Sequence, residues 1–104
     1  MKNSALAFLI LCFTASSAPA GDLIRKACLK SGRSAATKEL CSCIQVVADS
    51  WLKQKDQRLA ASFFKDPHKA QEIRQSDKRS HEVFWTRYKE FGSAAEDACD
   101  PDRS

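Results

Sequence analysis

Residues 40–51 read LCSCIQVVADSW, and this stretch decides the fold class. Its apolar positions Leu40, Ile44, Val47 and Trp51 recur at i, i+4, i+7 and i+11. That is one stripe of a 3.6-residue period, and it predicts a helix starting after Ser34. Cys41 and Cys43 fall inside it. Each residue advances about 100 degrees around a helix axis, so these two lie about 200 degrees apart and face opposite sides. A direct bond between them would require local unwinding. Each cysteine is therefore expected to reach a different helix, which makes this segment the middle of a helical assembly.

Reading toward the N-terminus, Leu23, Ile24, Ala27 and Cys28 keep helical spacing, with Asp22 as the expected N-cap and Gly32 as the expected terminator. Toward the C-terminus, the polar run Lys53 to Asp56 breaks the pattern. Asp56 is expected to cap a third helix whose apolar face carries Leu59, Ala60, Phe63 and Phe64, ending near Lys65. Asp66-Pro67 is a start signal, because proline suits the first helical position, and it predicts a mostly exposed helix from His68 to Gln75 with Ile73 as its one large apolar residue. Ser80 is expected to cap a last helix, with Glu82 in its first turn and Phe84, Tyr88, Phe91 and Ala95 along one face. No alternating strand pattern occurs. The expected fold is all-α, a small bundle of four to five helices braced by two disulfides.

The chain has 104 residues, 17 Lys plus Arg against 13 Asp plus Glu, and five cysteines. That length allows one small domain and excludes a two-lobed solute-binding protein, a Rossmann enzyme or a multi-span carrier. An apolar fraction of 43% excludes a disordered chain. Residues 1–20 read as a signal peptide. Lys2 supplies the positive start, residues 5–13 (ALAFLILCF) an apolar run, and Ala18-Pro19-Ala20 the small residues of a cleavage site, with cleavage expected after Ala20. Nine apolar residues fall short of the roughly 20 that span a bilayer, so no membrane span is expected. Cys12 follows Leu11, where a lipidation signal wants a small residue, and reads as incidental. Removing residues 1–20, which hold one lysine, no acid and one cysteine, leaves 84 residues with charge +3 and four cysteines, read as a single domain over 21–104.

An even cysteine count in a small exported chain reads as two disulfides, and export places the protein in the periplasm or outside the cell. Cys28, Cys41, Cys43 and Cys99 permit three pairings. Folding the first helix back antiparallel across the turn at 31–36 brings Cys28 nearer Cys41 and leaves Cys43 for Cys99. That pairing is preferred, with the crossed one second.

Closely spaced thiolates such as Cys41 and Cys43 suit redox exchange or Cu(I). This pair sits inside a helix, away from the N-terminal position that lowers a thiol pKa, so structural disulfides are the better reading. Zinc-type spacing is missing. His68 is expected solvated in a first turn, and His81 half-buried beside the apolar stripe. No serine lies in a G-x-S-x-G elbow or a Ser-x-x-Lys element, and no glycine loop for phosphate occurs. No catalytic residue, metal or cofactor is expected, and the protein is read as a non-enzyme.

Of the aromatics Trp51, Phe63, Phe64, Phe84, Trp85, Tyr88 and Phe91, helical spacing places most in the core. Trp85 cannot share a narrow stripe with Phe84, and it either seals a second helix contact or serves as a binding anchor. Residues 22–91 hold 15 basic and 9 acidic side chains, whereas residues 92–104 hold four acidic and one basic. Basic and acidic residues interleave, which together with export excludes nucleic acid as a partner. The candidate interaction surface is Phe64, Asp66, His68, Lys69, Glu72, Arg74, Asp77, Lys78 and Arg79, with Trp85 as anchor. Its expected partner is a protein or a component of the cell envelope.

The segments ACLKSGRSA (27–35), LCSCIQVVAD (40–49) and DQRLAASFFKDPHKAQEIRQSDKRS (56–80) resemble a family of small exported bacterial proteins commonly labelled "arginine transporter". The resemblance covers nearly all of the chain after residue 20, and FFKDPHKAQEIRQSD (63–77) is its most distinctive block. It implies an alternative function as an accessory of an arginine or amino-acid transport system, binding a basic ligand or a transporter component. Asp66, Glu72 and Asp77 would be the carboxylates for such a ligand. More weakly, CSCIQVVAD (41–49) is similar to the cysteine-containing helix of Rap1a/Tai-type periplasmic immunity proteins, whose second central cysteine-proline segment this chain lacks.

Overall fold

The computed structural model describes residues 21–100. The expected signal peptide with its cleavage site and Cys12, and residues 101–104, lie outside the described residues. Five helices follow in order: α1 (Leu23–Leu29), α2 (Lys38–Trp51), α3 (Gln54–Lys65), α4 (Pro67–Arg74) and α5 (Arg79–Cys99). The described residues contain no strand, and the all-α bundle with two disulfides stands. The bridges are Cys28–Cys41 and Cys43–Cys99, with Cα separations of 5.6 and 5.7 Å. This is the preferred pairing. It runs α1 and α5 antiparallel to α2, one on each side, as two cysteines on opposite faces of one helix require.

Helix boundaries follow local chemistry, with some departures from expectation. Gly32 adopts φ +72°, a left-handed conformation that glycine takes without steric cost, and it separates α1 from the turns before α2. Those turns delay α2 to Lys38, later than Ser34 suggested. Thr37 caps it, its hydroxyl accepting the Leu40 N–H at 3.1 Å. Asp56 is not the cap of α3. Lys53 holds that position, and Asp56 lies in the first turn, 9% exposed, where its carboxylate accepts from Arg87 of α5 at 3.2 Å. Ser80 is not the cap of α5 either, because the helix begins two residues earlier with Lys78 at the N-cap. Asp22 occupies the N-cap of α1 without a side-chain cap bond and pairs with Arg25 at 3.0 Å instead. Pro67 opens α4 as expected.

The largest correction concerns α2. Its buried face is Cys41, Gln45, Ala48 and Leu52, the same spacing as the expected stripe but one residue, about 100 degrees, further round. Ile44 and Val47 flank this face half-buried, and Trp51 is 47% exposed. The rotation has a physical cause: α2 serves two neighbours, α1 through Cys41 and α5 through Cys43, so its contact arc is wider than one stripe. Gln45 at the centre of that arc masks it from a hydropathy reading.

Gln45 earns its burial. Its side-chain oxygen accepts the N–H groups of Ile24 (2.8 Å) and Arg25 (2.9 Å), capping α1 from across the interface. Its amide donates to Asp49 and to Gln57, both at 2.9 Å, and Gln57 in turn donates to the Leu52 carbonyl at 3.1 Å. Among the described residues no buried side-chain nitrogen or oxygen lacks a partner. That matters because an orphaned buried polar group costs roughly 1–3 kcal/mol.

The core is one cluster whose character changes along the bundle. Around α1 and α2 it consists of Ile24, Ala48 and Leu52 with the buried bridge of Cys28 and Cys41. Between α3, α4 and α5 it is aromatic: Phe63 meets Phe84 and Tyr88 edge-on at 5.9 and 5.3 Å, with Ile73 buried in the same cluster. Such edge-to-face pairs add about 0.5–1.5 kcal/mol each beyond the burial of their area. Burial pushes the Tyr88 hydroxyl pKa above its ordinary value, an effect opposed by the charge of Arg33.

Candidate interaction surface

α4 is attached to the bundle by one large apolar side chain, Ile73, and stands with most of its charged residues in solvent. Asp66, Glu72, Arg74, Asp77 and Lys78 are exposed along α4 and its flanking turns. His68 is exposed and sits 3.4 Å from Glu72, one helical turn away. Lys69 is half-buried. Trp85 is half-buried, its ring 5.2 Å from Tyr88, so it joins the edge of the aromatic cluster. Phe64 is half-buried on α3.

These residues do not form one site. Lys69 and Arg79 turn into a groove of about 730 Å³ between α3 and α5. There they join Lys55, Arg58 and Arg87, over a floor that includes Leu59, Val83 and Phe84. The groove opens because α3 and α5 meet chiefly through large side chains, Phe63 on Phe84 and Tyr88 and Asp56 on Arg87, which hold the backbones apart. Phe64 belongs instead to a second depression of about 540 Å³ between α1 and α3, whose cations are Lys26, Lys30, Arg58 and Lys65. The two depressions share Arg58 and Ser62 and so form one basic belt across α3. Asp66, His68, Glu72, Arg74, Asp77, Lys78 and Trp85 line neither.

Sequence reading missed Lys55, Arg58 and Arg87. Their signal was present as Lys55 and Arg58 three apart on α3, and Arg79, Val83 and Arg87 four apart on α5, spacings that place side chains on one helix face. The hidden fact was that these two faces meet. Asp56 is the single carboxylate in the groove, and it is already bound to Arg87 at 3.2 Å.

At the mouth of the groove the Ser76 hydroxyl lies 2.6 Å from His81 Nδ1 and accepts the Lys78 N–H at 3.2 Å. This pair closes the turn between α4 and α5. Cys41 and Cys43 are both spent in disulfides, so neither carries a thiolate here. Among the described residues no three His, Cys, Asp or Glu side chains gather as metal ligands, and no helix is long and apolar enough to cross a membrane. No family model matches the chain, and no curated protein or solved structure matches it.

Proposed function

We propose that this chain is a non-enzymatic exported protein that works by binding another molecule of the periplasm or envelope, using the face built from α1, α3, α4 and the first half of α5. The observation carrying this reading is the basic belt across α3, where eight Lys or Arg side chains line two adjoining depressions against one carboxylate. Gathering like charge on a rigid concave surface costs self-repulsion, and an oppositely charged partner relieves it. The disulfides fit an oxidising compartment, and the export-type sequence of residues 1–20 agrees.

The belt argues against a basic ligand. Arginine carries its own guanidinium and would be repelled there, while Asp66, Glu72 and Asp77 stand exposed without forming a cage. Calorimetry with free arginine is therefore expected to give no heat of binding. Proximity labelling from the protein in intact cells tests the main reading. Recovery of a specific periplasmic or envelope partner supports it, and labelling no different from an unrelated exported control of similar charge removes it.

A further inference from the structure

We infer that the basic belt takes an acidic peptide segment of a partner protein, with carboxylates placed on either side of an apolar side chain. This deepens the interaction reading and rests on it. Among the described residues, Lys55, Arg58, Lys69 and Arg79 have no salt-bridge partner, and the one carboxylate between them is engaged by Arg87. The four unpaired cations come from three helices, so they are held in place by the fold instead of by a flexible run. α5 begins without a side-chain cap, and its first residues line the same groove, so the positive end of a 21-residue helix adds to the field.

Shape and floor select among anions. The cations line a cleft between helices, whereas a bilayer surface is flat and calls for a face with protruding apolar residues. A single phosphate could engage two or three of these side chains and would leave the rest of the belt unpaired. Leu59 and Val83 offer apolar contact beside the charges, which suits a side chain between carboxylates. An extended peptide repeats same-side groups about every 7 Å, so its carboxylates spread along a cleft instead of meeting at one point.

The test uses the disulfide-intact protein and a labelled pentapeptide with four carboxylate side chains around a central leucine, followed by fluorescence anisotropy at low salt. Saturable binding is expected, weakened about 10-fold by Arg58→Gln with Arg79→Gln together. Lys55→Gln with Lys69→Gln should act similarly, and Arg74→Gln, on the outward side of α4, should leave binding unchanged. Circular dichroism confirms that each variant is folded. Equal binding by the charge-neutralised variants overturns the proposal. So does displacement of the peptide by equimolar inorganic phosphate, tighter binding to phosphatidylglycerol vesicles, or tighter binding to a single-stranded oligonucleotide. If the peptide fails to bind while proximity labelling still returns a partner, the belt assignment falls and the interaction reading survives.

Discussion

The two ends of the bundle are held together by different means. At one end, α1, the first half of α2 and the last turns of α5 have small or few core residues, and covalent bridges join them. At the other end, α3, α4 and the first half of α5 have no bridge and are joined by Phe63, Ile73, Phe84 and Tyr88. The difference follows from local sequence. α1 has seven residues, about half the length at which an isolated helix becomes stable, and α5 ends with Glu96 and Asp97 and no basic residue in its last turn. Both are weak elements, and both are stapled to α2. The aromatic end has no staple, and its α3 carries the centre of the basic belt, which reaches Lys26 and Lys30 of the stapled α1.

Core truncation breaks this comparison hardest. Phe63→Ala removes a buried ring that meets two others, and it should cost roughly 4 to 5 kcal/mol in chemical denaturation. Its hydrogen-exchange signature should be lost protection in α4 and the first half of α5, with α1 retained. Replacing Cys43 and Cys99 by serine opens a loop with a sequence separation of 56 and should cost about 4 kcal/mol. Protection should then fall in the last turns of α5 and persist in residues 79–88. Equal loss of protection everywhere in both variants would mean that the two ends are one cooperative unit.

Serine at Cys28 and Cys41 should cost less, about 3 kcal/mol, since the sequence separation is 13. Gln45→Ala strips the acceptor from the Ile24 and Arg25 N–H groups and should cost about 2 kcal/mol, with α1 fraying first. The smallest effect is on pH dependence. Burial raises the Tyr88 pKa, so the folded state holds this proton more tightly than the unfolded chain does. Its contribution is fully present below the ordinary tyrosine value of about 10 and is lost as pH rises above it. A denaturation series from pH 8 to 11 should show that decline, and Tyr88→Phe should flatten it.

Much of this architecture was readable from the sequence because periodicity, a proline start signal and cysteine placement are local signals. The disulfide pairing followed from angles on one helix and the length of one turn. The rotated face of α2 was not readable. Gln45 looks like a surface residue until its two acceptor bonds to α1 are seen, and Trp51 looks like core until Leu52 takes the buried position. Asp56 was misplaced as a cap for a similar reason, since its partner Arg87 lies 31 residues away. The surface stretch around α4 stood out by composition. The groove beside it depended on two helices meeting, and only Lys69 and Arg79 of the expected residues enter it.

The capping of α1 by Gln45 also sets the register in which Cys28 meets α2. A seven-residue helix is too short to be stable alone, and the first N–H groups of α1 are bound by a side chain of α2. In that register α2 turns Cys41 toward α1 and Cys43 toward α5. A buried glutamine thereby favours one disulfide partner for Cys28, and a chain lacking it is expected to show more Cys28–Cys43 species in non-reducing peptide maps after oxidative refolding.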